Sequence, residues 1–506
     1  MSGEKDSKIS RRRFMEYVGA GSIVAASTVA GYYAMQPERS PQNLTSSTPR
    51  SVEVMAQGGA KPNLIYFFVD NLGFGELGCY GGGILRGTDT RRIDAFAAES
   101  CKLLNFAPEA QCTPSRSALM TGRYSIRSGT HTIPVPGLGE GGLVSWERTI
   151  ADTLSEAGYA TLILGKWHLG DSEKRWPTDH GFDEWYGIPR SYDESLWPDD
   201  TWYDPKRDPV SYVMEGRKGE SMRTVKQLTL EVRRDIDLEY QQRAFEFIKR
   251  NVKAGKPFFL YYCHSMMHLP TVPRNEFKGV TGHGDFADSM LEMDHDFGQL
   301  LDYLDEVGAR DNTIVVFFGD NGAEESLPWR GTSGFFEGSY FTGMEGSLRS
   351  PCIIRWPGRV SAGRVSNNIV HITDMFTTMI RFAGAEIPTD RVIDGVDQQA
   401  FLLGKQENSN REGFPFWNGD RLYGVKWGDW KVSFVNQKYM WDPIEILPTP
   451  HLVNLILDPK ERENVAIHHT WVFAHMGKIM AAFYRSIKKE QLIPSDAPVD
   501  FVPKSG

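Results

Sequence analysis

The stretch Asn63-Leu64-Ile65-Tyr66-Phe67-Phe68-Val69-Asp70-Asn71 decides the fold. Its continuous apolar run is what a central parallel strand requires when it is buried on both faces, because neither set of alternating side chains meets water. The run stops at a polar pair, Asp70-Asn71, followed by the glycine-rich Gly73-Phe74-Gly75. In α/β sheets, ligand sites lie just beyond the carboxyl ends of such strands. The pattern recurs far along the chain, where Thr313-Ile314-Val315-Val316-Phe317-Phe318 runs into Gly319-Asp320-Asn321-Gly322. Two buried strands that each end in an Asp-Asn pair predict a mostly parallel α/β sheet with a metal site at those ends.

Working outward, residues 91–100 read as a helix, as do residues 146–158, with Ile150, Leu154 and Ala157 on one face. A short strand over 160–164 leads into Gly165-Lys166-Trp167-His168-Leu169-Gly170. Lys166 and His168 are two apart, so in an extended segment they point to the same side. Residues 190–235 are polar and aromatic and are expected to form an insertion over the mouth of the site. Helix returns over 239–251, and a strand over 257–262 delivers His264 and His268. The apolar stripe of a helix over 288–307 includes Met290 and Met293, which read as core rather than as ligands. A short strand over 352–355 and a helix over 371–383 follow. Beyond about residue 410 the alternation stops. There, 421–435 reads as a strand, a Trp427-Gly428-Asp429 turn and a second strand, and 470–490 as a helix. The expected division is a catalytic domain over 61–410 and a smaller C-terminal subdomain over 411–506, containing an antiparallel sheet.

The 506 residues are enough to bury a sizeable core. Net charge is −9, from 56 Lys plus Arg against 65 Asp plus Glu. That acidic balance argues against a general nucleic-acid binder, and no nucleic-acid partner is expected. It leaves room for an anionic substrate, because a local cationic site overrides the global charge. The five cysteines, at 79, 101, 112, 263 and 352, show no C-x-x-C spacing and indicate neither a zinc site nor a disulfide scaffold.

At the N-terminus, Ser10-Arg11-Arg12-Arg13-Phe14-Met15 resembles the twin-arginine consensus and precedes a weakly apolar run over 18–35. Residues 1–35 therefore read as a twin-arginine export signal, with an uncleaved membrane anchor as the alternative. Residues 36–60 read as a flexible leader. The expected location is periplasmic or extracellular.

In Cys112-Thr113-Pro114-Ser115-Arg116-Ser117-Ala118-Leu119-Met120-Thr121-Gly122-Arg123, Pro114 suits a first helical position and Gly122 a helix end. Cys112 would sit at the helix N-terminus, in a field that favours anions. The string resembles the signature of the type I sulfatases, C-x-P-S-R followed by leucine and T-G-R. The resemblance extends from about Pro62 to Ala466. Its landmarks are Asp70-Asn71, the Cys112 signature, Gly165 to Gly170, Gly181-Phe182-Asp183, His268-Leu269-Pro270, Gly319-Asp320-Asn321-Gly322 and Trp356-Pro357-Gly358. It is nearest to bacterial enzymes of the arylsulfatase A type.

The resemblance implies an alkaline-phosphatase-like fold and hydrolysis of an aryl sulfate or a sulfated carbohydrate. Cys112 would be oxidised to formylglycine by a formylglycine-generating enzyme. Because the twin-arginine export machinery carries folded protein, this conversion is expected in the cytoplasm before folding hides the residue. Asp70, Asn71, Asp320 and Asn321 would hold one divalent cation, calcium or alternatively magnesium, since all four offer oxygen. Arg116 would hold the formylglycine, Lys166 and His168 would contact the aldehyde hydrate and the sulfate, and His268 would protonate the leaving group.

Two departures from the family pattern stand out. Members commonly carry Asp-Asp where this chain has Asp70-Asn71. They also place a lysine in a K-G-x-x-x-E-G segment, at the position taken here by Tyr340, with Arg330 a candidate replacement. The alternatives are a phosphonate monoester or phosphodiester hydrolase of the same superfamily, or an inactive exported binding homologue.

Overall fold

The computed structural model describes residues 60–504 apart from 135–140, 195–196, 199–200, 209 and 328–329. The expected export signal, and all but the last residue of the expected leader, lie outside the described residues. Among those described, no helix is long and apolar enough to cross a membrane.

The chain opens with β1 (Asn63–Val69), followed by α1 (Arg91–Ala98), β2 (Cys101–Leu103), β3 (Phe106–Ala107) and α2 (Cys112–Thr121). Next come α3 (Ile150–Glu156), β4 (Ala160–Leu164), β5 (Glu184–Gly187), β6 (Tyr212–Arg217), β7 (Arg223–Gln227), α4 (Leu230–Ala254) and β8 (Phe258–His264). The catalytic half closes with α5 (Asp285–Glu306), β9 (Thr313–Gly319), β10 (Cys352–Arg355), β11 (Arg364–Ser366), β12 (Val370–His371) and α6 (Ile372–Phe382). A separate unit holds β13 (Gly413–Asn418), β14 (Arg421–Trp427), β15 (Trp430–Asn436), β16 (Glu445–Asn454) and α7 (Val472–Lys489).

Ten strands form the main sheet in the order β11-β2-β10-β9-β1-β8-β4-β5-β6-β7. The stretch β9-β1-β8-β4-β5 is parallel throughout. The apolar run of β1 follows from this position. Leu64, Tyr66 and Phe68 enter the core beneath α2, α3 and α6, while Ile65, Phe67 and Val69 enter the opposite one, beneath α1, α4 and α5. Each fully buried side chain of this size contributes on the order of 2 kcal/mol.

Val69 lies opposite both His264 and Gly319, so β1, β8 and β9 end level and set Asp70 beside Asp320. Helix α2 is buried along its whole length. Cys112 is its first residue and Pro114 its third, rather than its first as the sequence suggested. The substitution costs nothing there, because an amide at the third position also lacks an intrahelical acceptor. Gly122 closes the helix at φ 68°, and a Cβ there would come within 2.4 Å of the Phe376 ring on α6.

The stretch over 190–235 departs most from expectation. Only its first residues, Ser191 to Glu194, lie over the strand ends beside His168 and His268, while β6 and β7 extend the main sheet at its edge as antiparallel strands. Helix α4 starts at Leu230, capped by the Thr229 side chain, well before the predicted residue 239. Its first turns bury Arg233 and Asp237, so an apolar-stripe criterion passes over them.

The four C-terminal strands form an antiparallel sheet in chain order, with α7 packed on it. Phe414, Phe416 and Tyr423 share a core with Ala107, Ala110 and Leu348 of the catalytic part. Beneath them, Lys426 and Lys431 reach Glu345 at 2.7 and 3.4 Å.

Candidate active site

The site lies past the carboxyl ends of β1, β4, β8 and β9, where the head of α2 enters the sheet edge. Cys112 is 3% exposed and Arg116, one turn on, 1%. The Arg116 guanidinium donates to Asp70 Oδ2 at 2.9 Å, to Asp320 Oδ2 at 3.2 Å and to the Lys166 carbonyl at 2.9 Å. It also lies over the Phe68 ring, 5.2 Å from the centroid. Lys166 Nζ stands 2.9 Å from Asp70 Oδ2 and donates to Ser191 Oγ at 2.9 Å.

Asn71 has φ 56°, a left-handed conformation that asparagine tolerates better than most residues. Its backbone N–H donates to Asp320 Oδ1 at 3.0 Å, and its Oδ1 accepts from Asn321 Nδ2 at 2.8 Å. Asp70 Oδ1 and Asn321 Oδ1 are buried with no hydrogen-bond donor. Two bare oxygens that follow the ends of neighbouring strands fit a hard, oxygen-seeking cation. Among the described residues, no three His, Cys, Asp or Glu side chains converge as ligands by themselves. The two asparagine amides are needed to complete the set.

Electrostatics separate the two acids. Burial opposes ionisation of Asp70, but Lys166, His268 and Arg116 overcome it and hold its carboxyl well below the usual range. Burial and the Asp70 charge push Asp320 up to about 7. Burial pushes the Cys112 thiol up to about 12, with Asp70 and Asp320 reinforcing it against Lys166 and Arg116. An unmodified thiol there is protonated and a poor nucleophile.

The histidines have distinct settings. His268 Nδ1 lies 2.7 Å from the Leu269 carbonyl and so carries a proton, and Nε2 shares a hydrogen bond with Ser191 Oγ at 2.9 Å. Lys166, Ser191 and His268 are thus linked by hydrogen bonds, with Asp193 Oδ1 3.5 Å from Nε2. His168 does not share a strand face with Lys166. Its φ is 61°, outside an extended segment, and its Nε2 bonds Glu194 Oε1 at 2.7 Å. His168 Nδ1 is buried without a donor. Burial lowers the His168 pKa against the pull of Glu194, and Glu194 is itself held at about 2, where His168 and then Lys166 offset its burial.

The structure thus brings Cys112, Arg116, Lys166, His168, His268, Asp70, Asn71, Asp320 and Asn321 together. His264 points elsewhere, into a buried network with Asp296 and Asp237. Arg330 is not in the site: its guanidinium pairs with Glu325 at the surface. Sequence reasoning missed Ser191, Glu194 and Glu324. The signal for the first two was their place just past the parallel strand β5, where the strand-end rule applies as it does for Asp70.

Comparison with known proteins gives the family. The Sulfatase family profile matches residues 62–385, and that of N-sulphoglucosamine sulphohydrolase, C-terminal, matches residues 331–476. The chain is 37% identical to N-acetylgalactosamine-6-sulfatase of Canis lupus familiaris over 395 residues, covering 75% of this chain and 73% of that one. It is 31% identical to arylsulfatase A of Bos taurus, covering 80% and 83%. The crystal structure of PsFucS1 sulfatase from Pseudoalteromonas sp. superposes with a TM-score of 0.80 at 32% identity, covering 85% of this chain and 91% of that one. With a family profile spanning most of the catalytic part and relatives alike over three quarters of the chain, this protein belongs to the sulfatase family, the enzymes that hydrolyse sulfate esters.

Proposed function

We propose that this enzyme hydrolyses the sulfate ester of a carbohydrate through a formylglycine made from Cys112. The observation that carries the reading is the convergence of Asp70, Asp320, Arg116 and Lys166 on a cysteine whose burial keeps the thiol protonated. Those surroundings serve an oxygen nucleophile and an anionic substrate better than they serve a thiol. The preference for a sugar over an aryl sulfate is supported by the 37% identity to a relative named for N-acetylgalactosamine-6-sulfate.

In this reading, Asp70, Asn71, Asp320 and Asn321 hold a divalent cation, calcium by the mixture of carboxylate and amide donors, which would offset sulfate charge and polarise the nucleophile. Lys166 and His168 orient the sulfate. The hydrated aldehyde of residue 112 carries two hydroxyls. One gives its proton to the Asp320 carboxylate, whose charge acts on residue 112, and attacks sulfur as the bond from sulfur to the departing oxygen breaks, while His268, protonated on both ring nitrogens for this step, gives its Nε2 proton to that oxygen. The second hydroxyl then gives its proton to His168 Nδ1, the carbon–oxygen bond to sulfate breaks, and the aldehyde is restored for rehydration by water. Glu194 on the far nitrogen steadies the resulting imidazolium, as a buried carboxylate does behind other catalytic histidines.

The same reading places the enzyme outside the cytoplasm, exported by the twin-arginine machinery after a formylglycine-generating enzyme has acted. The test is the mass of the peptide containing residue 112 from exported protein, with rates on sulfated sugars, an aryl sulfate and an aryl phosphonate. Formylglycine and the highest kcat/KM on a sugar sulfate are expected. An intact thiol in active enzyme, or a higher rate on the phosphorus ester, overturns the proposal.

A further inference from the structure

Glu324 follows Asp320-Asn321 by three residues, is 8% exposed, and points back into the site. Its Oε2 accepts from Asn71 Nδ2 at 2.9 Å, and Tyr340 is close enough for the carboxylate charge to act on its hydroxyl. His268 and Asp193 are close enough for their charges to act on it. The geometry points to Glu324 as the positioning residue that makes Asn71 an oxygen donor to the divalent cation. This rests on the metal reading given above and extends it to a residue outside the ligand set.

The argument starts from the ambiguity of an amide. An asparagine can present either oxygen or NH2 in a given direction, and only its partners decide which. An aspartate has no such ambiguity. With asparagine at 71, something must turn the NH2 away from the cation, and a carboxylate bonded to it does so. The bond of Asn71 Nδ2 to Glu324 leaves Asn71 Oδ1 on the side of Asn321, whose own Oδ1 is one of the orphaned oxygens. A charged acceptor on the amide also makes its oxygen more basic, as partners behind metal ligands generally do.

The same carboxylate is bonded to one departure from the family pattern, Asn71, and acts electrostatically on the other, Tyr340. The first removes a negative charge and the second a positive one, so their formal effects cancel.

The test is calorimetric titration of calcium into chelator-treated protein, without substrate. Wild-type enzyme is expected to bind one equivalent. Glu324→Ala should weaken binding about 10- to 100-fold, and Glu324→Gln, which can still accept through its own oxygen, should weaken it less. Adding Asn71→Asp to Glu324→Ala should recover affinity, since either carboxylate oxygen can face the ion. Thermal midpoints in chelator, matched among the variants, show that the fold is intact, and Glu324→Gln serves if the alanine variant does not fold. Unchanged affinity in Glu324→Ala, or no recovery with Asn71→Asp, overturns the inference. Failure of the wild type to bind any divalent cation instead overturns the metal reading on which it rests.

Discussion

Two clusters of buried charge sit about the main sheet, and they differ in how their charges are shared. At the catalytic end, Asp70 and Asp320 face Arg116 and Lys166. Where the C-terminal sheet meets the catalytic part, Glu345 and Glu461 face Lys426, Lys431 and Arg349. In the second cluster every charged end has an opposite charge close by, Lys431 at 2.8 Å from Glu461 and Lys426 at 2.7 Å from Glu345. In the first, both cations share one oxygen of Asp70 and leave the other with no donor. Burial of charge alone therefore does not mark function here. Nor does a single unbonded atom, since Glu345 Oε1 and Lys431 Nζ also lack a hydrogen bond; what sets the first cluster apart is that two bare oxygens, Asp70 Oδ1 and Asn321 Oδ1, follow the ends of neighbouring strands.

The sharpest way to break this contrast is to remove the proposed nucleophile. Cys112→Ser should cut multiple turnover on the order of 10⁴-fold or more while still taking up one sulfate slowly, seen as a sulfated residue 112 by mass spectrometry. A serine has no second hydroxyl with which to expel the sulfate. Sustained turnover would disprove the two-hydroxyl mechanism. Next, His268→Ala should lower kcat about 10²- to 10⁴-fold on a sugar sulfate and far less on a nitrophenyl sulfate, whose leaving group needs no proton. Equal losses on both would remove His268 as the acid.

Smaller effects distinguish the clusters through stability. Glu345→Gln strands three cations and should cost on the order of 3 kcal/mol, read from urea unfolding, yet leave the stabilisation by calcium unchanged. Lys426, Arg349 and Lys431 overcome burial to hold the Glu345 carboxyl low, so its contribution is complete above the ordinary carboxylate pKa. That contribution falls as the pH drops below about 4.5, where the unfolded chain takes up a proton and the folded one does not. Glu345→Gln should flatten this acid loss. Asp320→Asn should do the reverse, leaving acid stability largely intact and abolishing a calcium-dependent gain of about 2.7 kcal/mol at a hundredfold excess over the dissociation constant. If both variants change the same observable, the division between a closed joint and an open site fails.

The sequence by itself determined the central parallel strands and most of the polar residues gathered at their ends. A strand buried on both faces has to be apolar throughout, as β1 and β9 are, and whatever polar residue follows it emerges at the carboxyl edge. Asp70, Asn71, Asp320 and Asn321 were legible for that reason, and the Cys112 signature for its similarity to a family. Tertiary structure alone decided what stands behind those residues. Ser191, Glu194 and Glu324 occupy loops with no periodicity, and their partners lie far away in sequence: Glu324 meets an amide at position 71, and Ser191 a histidine at position 268. The buried Arg233 and Asp237 hid the start of α4 in the same way, since a charge reads as surface until its partner is known. Hydrophobic pattern is a property of neighbouring residues and is written locally. Satisfaction of a buried polar atom is a property of whichever chain segment folds against it, and only the assembled structure names that segment.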